Sequence, residues 1–207
     1  LRTRLASSSA DSELNLGYLI EQPPGTSRRG RYRGSGFELR TDAWAVVRGG
    51  EGVLLSTSAR PQLGSGITST QMDAAEAVAQ FKAAQSLGDA LRDAAGQSQA
   101  LFSSDAVKAQ EEFIALIDPQ AKGKYDGAVG GQTALKAKAG SRELDGEQPV
   151  EKFGAAIVLM DSAASVNWAT PASTVVHAGG QMQWTTQSDL HIAAAHTVST
   201  VAGGAAS

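Results

Sequence analysis

The 207-residue chain contains no cysteine, which excludes a disulfide framework and thiolate or zinc-thiolate chemistry. Aromatic residues make up only 5% of the sequence, so one chain can bury only a small core, and we expect apolar surface to be buried between chains. The net charge of −3 provides no strong field to attract nucleic acid or an anionic membrane. No apolar run approaches the roughly 18 residues of a membrane span. We therefore expect neither nucleic-acid binding nor stable membrane insertion.

What the chain does contain is an eight-residue repeat close to its C-terminus. Six consecutive octads run from Val158 to Ala205, with mostly large apolar residues at the first and third positions. The fifth to eighth positions are almost all small or turn-forming. This pattern predicts a short strand and a corner in every octad. Eight residues supply only one side of a β-helical turn, so we predict a mainly β fold, a β-prism completed by trimerisation.

The same period occurs earlier in the chain, over residues 37–60. Apolar pairs again occupy the first and third positions, and Gly49, Gly50 and Gly52 fall at a corner, where we expect positive φ angles. Further upstream, residues 16–20 form an apolar segment followed by two prolines, which predicts a strand.

Between the two octad regions the apolar spacing changes to three and four residues, which is typical of amphipathic helices. We predict a helical hairpin over 70–118, with a second helix from about Asp105 to Ile117 and a flexible linker over 119–149. The hairpin interrupts an N-terminal β segment over 1–60 and a C-terminal octad β-prism over 150–205.

The octad phase divides the side chains into two sets, because alternate residues of a strand face opposite sides. Odd positions of the strand are predicted to fill the trimer core: Phe37, Leu39, Val47, Val53, Leu55, Val158, Met160, Val166, Trp168, Val176, Met182, Trp184, Leu190, Ile192 and Val198. Even positions are predicted to face outward, and a subset forms a possible effector-docking face: Val175, His177, Gln183, Thr185 and His191.

Three features could indicate chemistry, but each has a simpler interpretation. The three histidines could suggest a metal site, but His177 and His191 lie in outward columns, and His191 and His196 are five residues apart, so they face opposite sides of a strand. A cluster of arginines over 28–33 could suggest nucleic-acid contact, but a solvated turn whose arginines pair with Glu38 or Asp42 is the favoured interpretation. Trp168 and Trp184 could stack on sugars or bases, but their inward column favours core packing. We predict no catalytic residue, metal or cofactor.

Several segments closely resemble the VgrG family, the trimeric spike subunits of type VI secretion systems. The main motif is GFELRTDAW at 36–44 with RGGEGVLLST at 48–57. STQMD at 69–73, ATPAS at 169–173 and AGG at 178–180 resemble later parts of the same family. The resemblance covers about residues 15–203.

The resemblance implies a needle that carries effectors, directly or through an adaptor, and is capped by a PAAR-type tip protein. It implies a cytoplasmic location before firing and translocation into a target cell afterwards. Full-length relatives have an N-terminal hub, and we expect this chain to begin near the start of the needle and to be no enzyme. A phage tail needle or fibre of similar architecture is the alternative, and a carbohydrate-active β-helix is a more distant one.

Overall fold

The computed structural model describes residues 1–22, 25–60, 72–100, 102, 104–118 and 153–203, and the backbone of four short strands between 128 and 145. The chain divides into two compact units, residues 1–48 and 49–207. In the described part of the chain, no helix has the length and apolar character needed to cross a membrane.

The first unit is a three-stranded antiparallel sheet in the order β1-β2-β3. Its strands are β1 (Arg2–Ser7), β2 (Ser12–Ile20) and β3 (Tyr32–Arg40), with a 3-10 turn at Ser9–Asp11 between the first two. The strand predicted over 16–20 is the second half of β2. β1 was not predicted, because its alternation of arginine with Thr, Leu and Ser carries only a weak apolar signal.

The strand register separates this sheet into a polar and an apolar face. Leu5 pairs with Leu14, which pairs with Leu39, and the neighbouring positions Arg4, Asn15 and Glu38 are aligned in the same way. Adjacent residues of a strand point to opposite faces, so the leucines lie on one face and the polar residues on the other. Leu5 and Leu39 remain 63% and 67% exposed, so the apolar face is largely open at these positions.

The second unit brings together residues that lie far apart in the sequence. β4 (Val53–Ser56) pairs in parallel with β9 (Val158–Asp161). The intervening residues include the helices α1 (Ala75–Gln97) and α2 (Ser104–Ile117), which occupy the segment predicted to be a helical hairpin. The four short strands are β5 (Ala128–Val129), β6 (Gln132–Thr133), β7 (Lys136–Ala137) and β8 (Leu144–Asp145), paired antiparallel as β5-β6 and β7-β8. The rest of the predicted linker over 119–149 lies outside the described residues, and the predicted domain boundaries remain predictions.

The core of this unit forms where the hairpin packs against the paired strands. Phe153 and Leu159 are 1% and 3% exposed and contact the start of α1 and the end of α2. The two helices also meet through Phe81 and Phe113, whose rings pack edge to face with centroids 4.7 Å apart. The cluster consists of Ala74, Ala77, Val78, Ile117, Phe153 and Leu159, with Leu54, Met72, Phe81, Phe113, Leu116 and Ile157 at its margin. This small core agrees with the low aromatic content.

One glycine at the predicted corner has the expected positive φ. Gly52 has φ +137°, and a Cβ there would lie 2.7 Å from the ring of Phe153. Gly49 and Gly50 do not have positive φ, so that part of the expectation was wrong. Gly49 is instead required because the carbonyl oxygen of Gly52 approaches it too closely for any side chain.

Residues 162–203, which we call the ribbon, repeat a bend every eight residues. The chain bends at 163–164, 171–172, 179–180, 187–188 and 195–196. Each bend falls at the sixth and seventh positions of an octad, so the predicted corners are present. Between the bends the segments are not paired as strands, because among the described residues none of 162–203 makes a backbone-to-backbone hydrogen bond. The mainly β character therefore holds for the paired strands, and strand pairing along the ribbon remains a prediction.

Candidate functional site

The two octad regions meet in matching phase where β4 pairs with β9. Val53 lies opposite Val158 and Leu55 opposite Met160, which places first positions beside first positions and third beside third. The pairing is reinforced beside the strands, where the Ser56 hydroxyl donates to Asp161 Oδ2 at 2.9 Å and the amide of Ala163 donates to Thr57 Oγ1 at 2.9 Å. The excursion through the hairpin therefore returns the chain in register.

The side chains predicted for the trimer core are exposed in the single chain. Val53 is half-buried, while the others are exposed to between 45% at Met160 and 77% at Val47. The exposed set includes two tryptophans, Trp168 at 73% and Trp184 at 69%. A surface of large apolar side chains on this scale is typical of a protein-protein interface.

The predicted docking face lies on the ribbon, and its residues differ in whether they lie beside the helical hairpin. Val175 is 87% exposed, and His177 and His191 are also exposed. Gln183 is exposed as well, but its side-chain amide donates a hydrogen bond to the carbonyl oxygen of Ala106 in α2. Thr185 lines a cleft opposite the helices. The hairpin therefore lies beside one part of this face, around Gln183 and Thr185.

Arg60 fixes the start of the hairpin to the end of the octad that contains β4. Its Nε donates to Asp73 Oδ2 at 2.9 Å, and its two terminal nitrogens donate to the carboxylate of Glu76 at 2.9 and 2.7 Å. These hydrogen bonds, first with Glu76 and then with Asp73, raise the pKa of Arg60. The hydrogen bond from Arg60 lowers the pKa of Glu76 in return. Sequence spacing gave no signal for this clamp, because Arg60 is 13 and 16 residues away from Asp73 and Glu76 and lies in a region of different period.

A cleft of about 810 Å³ lies between the hairpin and the ribbon. Phe81, Ala84 and Phe113 line it from the helices, and Trp168, Met182 and Trp184 are among its lining residues from the ribbon. The sequence did not predict this cleft, since it combines apolar residues from two differently periodic segments.

The other candidate features have ordinary surroundings in the described residues. Arg33 pairs at 2.6 Å with Glu38, one of its two predicted partners, but both residues lie in β3 and not in a turn. Arg31 pairs with Glu21 at 2.9 Å. No group of three histidine, aspartate or glutamate side chains among the described residues is arranged to hold a metal ion.

Two family models match the chain over separate segments. Residues 1–95 match the type VI secretion system Rhs element Vgr family. Residues 145–207 match a family described as an uncharacterized protein conserved in bacteria, DUF2345. The two matches include both octad regions.

Two curated relatives are spike proteins from Pseudomonas aeruginosa. The type VI secretion system spike proteins VgrG2a and VgrG2b are each 35% identical to the chain over 133 residues, or 63% of its length. The matched region represents 15% and 12% of those relatives, so the chain spans only a small part of their length.

Two solved structures share the fold at a TM-score of 0.69 and 20% sequence identity, over 99% of this chain. One is the VgrG spike from the type VI secretion system, of which 61% is covered. The other is the Tle1 effector bound to the VgrG spike, where 50% of the matched chain is covered. The motifs, the fold and the relatives agree, and they confirm the resemblance to the VgrG spike proteins of type VI secretion systems.

Proposed function

We propose that this chain forms part of the needle of a type VI secretion spike, where three copies assemble into a β-prism that carries effectors into a target cell. One observation carries the proposal. The ribbon over 162–203 is extended and bends every eight residues, yet in the described residues it makes no backbone-to-backbone hydrogen bond. Open strand edges with large apolar side chains beside them are ready to pair with another chain, so a ribbon of this length favours assembly with other copies.

The distribution of apolar side chains supports the same assembly. The first and third columns, which would face the interior of the prism, contain the large exposed residues of the ribbon, such as Val166, Trp168 and Ile192. Each exposed large side chain gains roughly 1.5–3 kcal/mol when it is fully buried. Repeated over several octads and three chains, this gain favours trimerisation strongly enough to order the ribbon.

The function follows from shape and binding surfaces, with no bond chemistry assigned to the chain. A prism whose strand edges are paired between chains has few open edges and resists local unfolding, which suits the transmission of axial force. In this proposal an effector or its adaptor docks on the outward columns, a PAAR-type protein covers the tip, and the spike is cytoplasmic until firing translocates it. The bound effector in one of the similar spike structures supports this role.

Sedimentation equilibrium of the purified chain tests the proposal. We expect a mass of three times 21.3 kDa, because the ribbon and the apolar columns require partner chains. Circular dichroism of the same samples should show β structure increasing with concentration as trimers form. A stable monomer at micromolar concentration, with the ribbon amides protected from hydrogen exchange, would contradict the proposed assembly.

A further inference from the structure

The cleft between the helical hairpin and the ribbon has a preformed wall on the helical side. Phe81 and Phe113 contact each other edge to face, and Gln110 donates its side-chain amide to the carbonyl oxygen of Phe81 at 3.2 Å. The wall is fixed at its base by the Arg60 clamp and by an ion pair between Lys82 and Asp118 at 2.7 Å. This wall is therefore positioned before anything enters the cleft.

The ribbon side of the cleft presents groups that are incomplete in a single chain. Trp168 and Trp184 belong to the third column and Met182 to the first, and they are 73%, 69% and 47% exposed. The ribbon backbone beside them lacks backbone partners among the described residues. Asp189 is the one charged side chain among the described residues that line the cleft. An occupant must therefore be extended, apolar at alternate positions and largely uncharged.

We propose that this cleft seats the octad ribbon of a neighbouring copy, so that the hairpin of one chain holds the repeat of the next. The proposal rests on the trimeric needle proposed above. A second ribbon offers the required features, namely free backbone groups and large apolar side chains at alternate positions. The volume of about 810 Å³ is within the range of small-ligand sites, so it admits a row of side chains but no folded domain.

The contact would give the assembly a defined register. Successive octads have nearly the same pattern, so a chain displaced by eight residues would still match apolar columns with apolar columns. Register is weakly specified wherever such a slip costs little. The hairpin occurs once in the chain, and contact with it distinguishes one octad of the neighbour from the others.

Disulfide formation between differently tagged chains tests the contact, and the absence of native cysteine makes every introduced thiol unique. One chain carries Ala84→Cys, on the cleft side of α1. The other carries a single cysteine in the second column, which the column assignment places on the outer face of the neighbouring ribbon: Val175→Cys, Gln183→Cys or His191→Cys. The matched control is Ala90→Cys, at an exposed position of the same helix. The pairs are co-expressed, oxidised and separated on non-reducing gels.

We expect a bond between tagged chains from Ala84→Cys, concentrated at one of the three ribbon positions, and little bond formation from Ala90→Cys. Equal yields at all three positions would overturn the fixed register. Absence of the bond in a protein that sediments as a trimer would overturn this inference and leave the proposed function intact. A protein that sediments as a monomer would overturn both.

The dissociation constant of a variant with an arginine in the cleft provides a second test. Ala84→Arg should raise the dissociation constant of the trimer by at least about tenfold, since a long charged side chain would occupy the seat of the neighbour. Ala90→Arg should leave it unchanged, because alanine and arginine have similar helix propensities and position 90 is exposed. Equal effects of the two substitutions on the dissociation constant would contradict the proposal.

Discussion

At the scale of single residues, the Asn15 and Glu13 side chains of the first unit are paired with charged neighbours. Asn15 is only 2% exposed, and it accepts from Arg2 at 3.1 Å and donates to Glu38 at 3.3 Å. Glu13, whose side chain is 10% exposed, pairs with Arg4 at 2.7 Å. A buried polar group costs free energy unless it is hydrogen-bonded, so this network makes the polar face of the sheet depend on ionised carboxylates.

Acid should therefore weaken the first unit through Glu13. The hydrogen bond from Arg4 lowers the pKa of Glu13 below its ordinary value of 4.5. A lowered folded-state pKa means that the stabilisation is complete above about pH 4.5 and is lost as the pH falls through the folded-state value. We expect the urea midpoint of this unit to fall on acidification below that point, and Glu13→Gln to be less stable at neutral pH with a flatter decline.

The matched control for this titration is Glu112→Gln, on the exposed side of α2. This substitution should leave the urea midpoint at neutral pH, and the decline of that midpoint in acid, close to those of the unchanged chain. An acid decline of the same steepness in Glu13→Gln and the unchanged chain would show that this carboxylate is not responsible.

At the scale of the octad, corners are made by small side chains that bond to the nearby backbone. Ser162, Thr170 and Thr186 are fifth residues of their octads, and each hydroxyl accepts a hydrogen bond from the amide two residues later, at 3.1–3.2 Å. Thr41 does the same in the earlier octad region. Serine and threonine favour turns through this type of bond. The repeat of small residues therefore has a local cause and does not depend on the partner chains.

The two faces of the octad strand should respond differently to a charge. Trp184→Asp places a carboxylate in the third column, where each chain of the trimer would bury it without a partner at a cost of about 3–5 kcal/mol. Ser199→Asp, in an exposed second-column position, should change stability by less than about 0.5 kcal/mol. Thermal melts of the trimers compare the two variants.

Ser199 is a better control than Gln183, whose side chain contacts α2 through Ala106. Equal losses of stability in Trp184→Asp and Ser199→Asp would show that the assignment of columns to inside and outside is wrong. Partial recovery of Trp184→Asp in acid would support burial, because protonation removes the unpaired charge.

At the scale of the whole molecule, the proposed assembly would leave only part of the ribbon surface for cargo. Gln183 and Thr185 lie beside the hairpin, while Val175, His177 and His191 are exposed. The column of Val175 also contains Asn167, Gln183 and Ser199 but no lysine, arginine, aspartate or glutamate. A docking surface with few long charged side chains has a low desolvation and ordering cost. Cargo is therefore expected to bind on the outward columns away from the hairpin.

Val175→Arg combined with His177→Arg should weaken retention of the effector that the full chain recovers in a pull-down, by about tenfold or more, without changing the sedimentation of the trimer. Two long charged side chains would obstruct the docking surface from outside the prism. Ala90→Arg on the hairpin is the matched control and should retain cargo fully. Retention at the original affinity by the double variant, together with its loss on deletion of residues 72–118, would place the docking site on the hairpin.

Elements whose cause is local could be predicted from the sequence alone. The eight-residue period predicted the bends of the ribbon, because turn-forming residues recur at the corners and a hydroxyl group bonds to the nearby backbone at three of them. The change to helical spacing predicted the segment that contains α1 and α2, since apolar side chains three and four residues apart share a helix face. The GFELRTDAW motif predicted the resemblance to VgrG spike proteins, which the comparisons confirmed.

The contacts between residues that are distant in the sequence could be identified only from the folded structure. Val53 lies beside Val158, Arg60 clamps Asp73 and Glu76, and the side-chain amide of Gln183 reaches the carbonyl of Ala106. None of these contacts has a periodic signature, because each depends on the path by which the chain leaves the octads and returns. The local sequence pattern specifies strands, corners and helices through short-range steric effects and hydrogen bonds. Burial and charge pairing between distant segments act only once the chain has folded and brought those segments together.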